Sequence, residues 1–328
     1  MPYVVYLFSV FQLIPAEEIT NATNEKELFG MHKIRGVYTA LVTPVIEGKV
    51  SRPVIEKLVD FVVGNRNTGL VVLGGTGEYC ALTNEQKIDA VKMTVAANKA
   101  RVPIIAGIIG PGLPEAIEMG NRCKELGADA IMVVTPYYVV ANQSGIIEYY
   151  TQIMENVNLP LILYNIPYRT GVNMLPETVE RLLDADKAGQ IIAIKECCPN
   201  LGQVMELLSK VKDRVSVLTG EEFMFFQEVA CGAEGAILAT SNLFPNIWAD
   251  LFDLIKSGNL ERASELALRL TPILCLVFAE SNPGPLKEAM KVIGIDCGDP
   301  LPPLSRTTDE IAHGLRTEIA KVLNWYSK

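Results

Sequence analysis

Lys195 ends the apolar run Ile191-Ile192-Ala193-Ile194, so its stem leaves a buried strand and its amine is expected in a protein interior rather than in bulk water. Desolvation disfavours the ammonium form and favours the free amine, the species that adds to a carbonyl. Tyr164 closes a second such run, Leu161-Ile162-Leu163, and a phenol within reach of that amine can carry protons. The chain needs such a carrier, because its two histidines, His32 and His313, stand at opposite ends. That scarcity removes most Ser-His-Asp, Cys-His and histidine-metal sites. The plainer alternatives are a lysine paired with Glu196 or solvated at a strand end, and a tyrosine that only builds a wall. A third feature is the loop Gly74-Gly75-Thr76-Gly77, whose backbone N–H groups and hydroxyl suit a carboxylate, or which is simply a tight turn. It is not a dinucleotide fingerprint, since that pattern would need glycine where Cys80 stands.

Composition narrows the class of protein around these residues. The chain has 328 residues, 49% hydrophobic and 20% charged, enough for one large or two ordinary domains and too apolar for intrinsic disorder. Its 29 basic against 38 acidic residues leave a net charge of -9, which argues against nucleic-acid binding. Seven cysteines, none in a CxxC pair, read as reduced thiols of a cytoplasmic protein. Adjacent Cys197 and Cys198 read as ordinary packing rather than a redox or metal pair. The apolar run 4–14 is too short to span a bilayer and lacks the flanks of a signal peptide. The polar stretch 20–30 reads as a linker, so residues 1–30 form an appendage and Met31 is an alternative start.

The elements that must hold the chemistry follow from the spacing of apolar runs. Eight of them, beginning near residues 37, 70, 102, 130, 160, 191, 215 and 235, recur with helical stretches between them. Continuous rather than alternating hydrophobicity indicates strands buried on both faces, as in a parallel sheet. The predicted fold is α/β, a (β/α)8 barrel over 31–257 with a helical region over 258–328; a doubly wound open sheet is the alternative. Thr83 and Gln86 form a capping box that opens a helix with Ile88, Val91 and Val95 on one face, and Pro176 opens another helix. Helices are expected over 259–279, 284–294 and 307–326, the last capped by Thr307 with Glu310. In a barrel the active site lies at the C-terminal strand ends, which here carry Thr43, Gly75 to Glu78, Thr135 to Tyr138, Tyr164 and Asn165, Lys195 and Glu196, Thr219 to Glu221, and Thr240 and Ser241.

These residues together resemble the dihydrodipicolinate synthase and N-acetylneuraminate lyase superfamily over about residues 34–326. The resemblance is carried by GVYTALVTP at 36, GGTGE at 74, TPYY at 135, YNIPYRTG at 164, IKE at 194, LTGEE at 218 and ESNPGPLK at 280. It implies a Schiff base between Lys195 and a 2-keto acid, with Tyr164 as proton relay and Thr76, Gly75 and Gly77 holding the keto-acid carboxylate. It implies further that Tyr138 enters a neighbouring active site across a dimer interface, that Gly220 and Ile237 line the surroundings of Lys195, and that Arg169 holds the carboxylate of a second substrate. Neither metal nor organic cofactor is implied. The implied partners are pyruvate and an aldehyde, with no nucleic acid or membrane, in a homotetramer built from dimers.

Two positions depart from the synthase pattern. Gly75 stands where the synthases usually carry a relay threonine, and GGTGE looks more like sugar-acid dehydratases of the same superfamily, whereas Arg169 looks like the synthases. The lysine-feedback pocket of bacterial synthases resembles Glu115 and Tyr137, but Pro111 replaces its asparagine. The resemblance therefore implies first a dihydrodipicolinate synthase acting on aspartate semialdehyde. Its rivals are a keto sugar-acid aldolase or dehydratase, or a hydroxyproline-pathway deaminase. A keto-acid-binding protein made inactive by Gly75 is a further alternative.

Overall fold

The computed structural model describes residues 34–326. The apolar run 4–14, the polar stretch 20–30, Met31 and His32 lie outside the described residues. Each apolar run becomes a strand: β1 (Gly36–Ala40), β2 (Gly69–Val72), β3 (Ile104–Ile108), β4 (Ala130–Val134), β5 (Leu161–Asn165), β6 (Ile191–Glu196), β7 (Ser216–Thr219) and β8 (Gly235–Leu238). They pair in parallel and in chain order, and β1 closes on β8 with Gly36 opposite Gly235. Closure leaves this sheet no edge, so the structure is the barrel and not the open sheet.

Every residue of these strands is buried, because one face looks into the barrel and the other lies under helices. Tyr38, Val71, Ile105, Met132, Ile162 and Leu218 fill the interior as one cluster. A larger cluster joins the outer strand faces to α1 (Arg52–Val63), α2 (Asn84–Asn98), α3 (Leu113–Glu125), α4 (Gln143–Asn156), α5 (Pro176–Ala185), α6 (Leu201–Val211), α7 (Phe225–Cys231) and α8 (Pro245–Lys256). After β8 come α9 (Leu260–Val277), α10 (Gly284–Val292) and α11 (Asp309–Tyr326), whose apolar faces join the same cluster. No helix among the described residues is long and apolar enough to cross a membrane.

Local signals mostly hold. The Thr83 Oγ1 accepts the Gln86 N–H at 3.2 Å and the Gln86 side chain accepts the Thr83 N–H at 2.8 Å, as a capping box requires. Pro176 occupies the first turn of α5. The buried face of α2 is rotated from the expected one: Lys87, Ala90, Val91 and Thr94 are buried, while Ile88 and Val95 are half-buried. The packing of α2 against α1 widens the arc it must bury. The expected cap at Thr307 and Glu310 is wrong. Helix α11 begins at Asp309, Thr308 gives its hydroxyl to Glu280 Oε1 at 2.7 Å, and the Thr307 hydroxyl is buried without a partner. A carboxylate from a distant loop takes the place of the local cap.

Candidate active site

Strand β6 contains an irregularity that decides which of its polar residues faces inward. Leu161 pairs with Ile191 but Ile162 pairs with Ala193, so Ile192 is an extra residue, a bulge. Without it, the alternation that puts Ile192 inside would continue through Ile194 to Glu196. With it, Ala193 and Cys197 face the barrel interior, and Lys195 pairs in register with inward-facing Tyr164. Lys195 Nζ lies 4.5 Å from the centre of the Tyr164 ring, and the lysine is 8% exposed. Gly220 makes room for the stem: a Cβ there would stand 2.6 Å from Lys195 Cε and 2.2 Å from Cys197 Sγ. Glu196, on the outer face, is no partner of Lys195. It accepts the Asn165 amide at 2.9 Å and the Cys198 N–H at 2.7 Å, and burial pushes its carboxyl up to about 8. Burial likewise holds the Tyr164 phenol and the Cys197 thiol well above their ordinary values, so both keep their protons. All seven cysteines are unpaired.

The loop after β2 supplies the opposite wall. Gly77 N–H bonds Gly74 O at 3.0 Å to form the turn, and Thr43 Oγ1 donates to Gly77 O at 2.7 Å. Asn282 Nδ2 donates to Thr76 Oγ1 at 3.0 Å, which leaves the threonine hydrogen free to be given to an anion in the cavity. Glu78, at φ 59°, anchors the loop from below. Its carboxylate meets Lys287 Nζ at 2.5 Å with both side chains almost wholly buried, and it accepts the Leu301 N–H at 2.6 Å. Asn282 and Lys287 belong to the ESNPGPLK segment, which carried the resemblance without being read as part of the site. Nothing in its spacing relative to Thr76 signals the contact, because the two lie 206 residues apart.

A cavity of about 310 Å³ lies between these walls, bordered by Gly75, Thr76, Tyr164, Lys195, Gly220 and Ile237. Arg169 reaches it from the single helical turn Pro167–Thr170 after β5, which Gly171 ends at φ 67°. Glu221, a strand-end candidate with no role assigned, and Glu222, which no signal singled out, also border it. Glu222 is fixed: its carboxylate accepts the N–H groups of Ala239 and Thr240, at 2.7 and 3.2 Å, and burial pushes it up to about 7. Tyr138 does not reach the cavity of its own chain. It stands 94% exposed in the loop after β4, at φ 71°.

A lysine amine, a buried phenol, the glycine loop with the Thr76 hydroxyl and a guanidinium thus converge at the C-terminal strand ends. The model of the dihydrodipicolinate synthetase family matches residues 33–322. The chain belongs to the dihydrodipicolinate synthetase family. The 4-hydroxy-tetrahydrodipicolinate synthase of Geobacter sulfurreducens is 42% identical over 275 residues, 83% of this chain and 93% of that protein. That of Thermodesulfovibrio yellowstonii is 37% identical over 260 residues, 79% of this chain and 88% of that protein. Among solved structures, the 4-hydroxy-tetrahydrodipicolinate synthase of Methylacidiphilum fumariolicum SolV superimposes with a TM-score of 0.85 at 31% identity, covering 89% of this chain and 97% of that one.

Within the dihydrodipicolinate synthetase family, this chain's own departures acquire a geometry. A Cβ on Gly75 would meet nothing within 4 Å, so the glycine borders open space and not a repacked wall. Glu115, which the resemblance sets in a feedback pocket, is already engaged: Tyr79 donates to it at 3.0 Å and Lys87 Nζ lies 3.4 Å away. Tyr137 turns its hydroxyl to Cys80 Sγ at 3.4 Å and borders a second, largely apolar cavity of about 420 Å³ beside the first.

Proposed function

We propose that this protein is a pyruvate-dependent Schiff-base lyase that condenses pyruvate with aspartate semialdehyde, a 4-hydroxy-tetrahydrodipicolinate synthase. The observation that carries this reading is the Lys195 amine, buried at the barrel mouth with its Nζ 4.5 Å from the Tyr164 ring. Lys195 adds to the C2 carbonyl of pyruvate, and the carbinolamine loses its hydroxyl as water when a proton reaches it from the Tyr164 phenol. The protonated imine then draws electrons from C3, whose proton returns to the phenolate, and an enamine results. Its C3 attacks the aldehyde carbon, and the aldehyde oxygen takes a proton from the Tyr164 phenol. The ammonium of the second substrate returns a proton to that phenolate, and the free amine so formed displaces Lys195 from C2, closing the ring and freeing the lysine amine.

The rest of the site divides the two substrates. Thr76, with the backbone around Gly75 and Gly77, receives the pyruvate carboxylate, and Arg169 the carboxylate of the aldehyde. Gly220 and Ile237 give the lysine stem its channel. Tyr138, exposed on its own chain, serves a neighbouring copy in a homotetramer, where it meets the open space at Gly75. Light scattering that found an active monomer would overturn that role.

Borohydride reduction in the presence of pyruvate, followed by peptide mass spectrometry, tests the reading. A reduced pyruvyl adduct is expected on Lys195, absent in Lys195→Ala and formed more slowly in Tyr164→Phe by about 100-fold or more. No adduct on folded wild type would overturn it. The open space at Gly75 keeps a second reading in view, a bulkier keto sugar acid as substrate. Turnover of a deoxy keto sugar acid without condensation on aspartate semialdehyde would favour it.

A further inference from the structure

Pyruvate uses only part of the charge this cavity presents. Lys195 takes its carbonyl and the loop at Thr76 its carboxylate, which leaves Arg169 and Glu221 on the loops after β5 and β7. Glu221 is held in place: its N–H bonds Thr219 Oγ1 at 3.1 Å, and its Oε1 accepts the Tyr168 hydroxyl at 2.8 Å. No ammonium or guanidinium among the described residues lies within ion-pairing distance of it. Lys195 and Arg169 are close enough to favour its charge, yet burial outweighs them and pushes its carboxyl above the ordinary range. A half-buried carboxylate with one oxygen committed and no ion pair at contact distance gains most from a cation that arrives with a ligand. Its neighbour Glu222 is the more deeply buried of the two, and its Oε1 already accepts two backbone N–H groups that hold it against the strand end of β8.

We infer that Glu221 receives the amino group of the second substrate, so that the site selects aldehydes bearing an α-amino carboxylate, the carboxylate on Arg169 and the ammonium on Glu221. The inference rests on the Schiff-base reading above and adds a specificity residue to it. A site with a carboxylate placed for an amine rejects the analogue lacking that amine, because the acid is then buried without its partner.

The test compares aspartate semialdehyde with succinate semialdehyde, which keeps the aldehyde and the carboxylate and lacks the amine. In Glu221→Gln, kcat/KM for aspartate semialdehyde is expected to fall about 10- to 100-fold, while the inhibition constant of succinate semialdehyde changes little. Glu221→Asp, which keeps the charge, should recover part of the loss, and Tyr168→Phe should have a small effect. Equal losses with both aldehydes, or loss of pyruvate trapping on Lys195 in the same variant, would mean that Glu221 acts through the lysine and would overturn the inference. So would an unchanged kcat/KM. A wild type that traps no pyruvate would instead remove the Schiff-base reading on which the inference stands.

Discussion

Glu78 and Lys287 form an ion pair at 2.5 Å in which both side chains are at most 2% exposed, one from the loop that carries Thr76 and the other from α10. The pair joins the barrel mouth to the helices that follow β8. Lys287 also donates to Asp299 O at 3.1 Å, so its ammonium is held from two sides. Removing one partner of such a pair strands a buried charge, at a cost of about 3–5 kcal/mol, whereas removing both often costs little. Lys287→Met is therefore expected to lower the urea midpoint steeply and to raise KM for pyruvate through the displaced Thr76 loop. Glu78→Gln combined with Lys287→Met should regain most of the stability. A double variant no more stable than the single would show that the pair is not what braces the loop.

Gly75 has no neighbour that a side chain would displace, and its φ does not lie in the left-handed region. Gly75→Thr is accordingly expected to fold with a melting temperature close to that of the wild type. On the proposed reading, in which Tyr138 serves a neighbouring copy, the new hydroxyl should bridge the two tyrosines and raise kcat severalfold. Steady-state kinetics on aspartate semialdehyde decide it, and an unchanged or lowered kcat would mean that water already fills that place.

The Glu115 carboxylate accepts the Tyr79 hydroxyl, and the Lys87 ammonium lies 3.4 Å from it and 3.9 Å from the Tyr79 ring centre. An internal lysine holds the carboxylate that an effector's amine would need. Millimolar lysine is expected to leave the condensation rate unchanged. Lys87→Ala vacates the position, and binding of lysine by that variant, followed calorimetrically, would be the corollary.

Glu228 is fully buried, and burial followed by the nearby Glu196 charge pushes its carboxyl up to about 8. The folded chain thus binds a proton here that the unfolded chain releases near its ordinary value of about 4.3. That contribution is complete below the unfolded value and is lost as pH rises toward and through 8. Relative to Glu228→Gln, the wild type should lose stability with rising pH at up to about 1.4 kcal/mol per unit. Denaturation midpoints measured across that window give the slope, and parallel curves for the two proteins would contradict the assignment.

What the sequence determined by itself is local in origin. Continuous apolar runs fix strands buried on both faces, since no other element of that length hides so many consecutive side chains, and their eightfold recurrence with helices between gives a parallel sheet that the pairing of β1 with β8 closes into the barrel. Strand-end residues then fall at one rim by chain direction alone, which is why Lys195, Tyr164 and Thr76 were legible, whereas Arg169, on the turn beyond β5, was indicated only by the family resemblance. Other features belong to the tertiary structure. An all-apolar run carries no alternation, so IIAIKE does not say whether Lys195 or Glu196 faces inward; the bulge against β5 decides it. Asn282 on Thr76 and Lys287 on Glu78 join segments some two hundred residues apart, and Glu280 replaces the local cap at the start of α11. Contacts of that kind exist only once barrel closure and the docking of the last helices bring distant loops together, because the geometry that pairs them is absent from either segment taken alone.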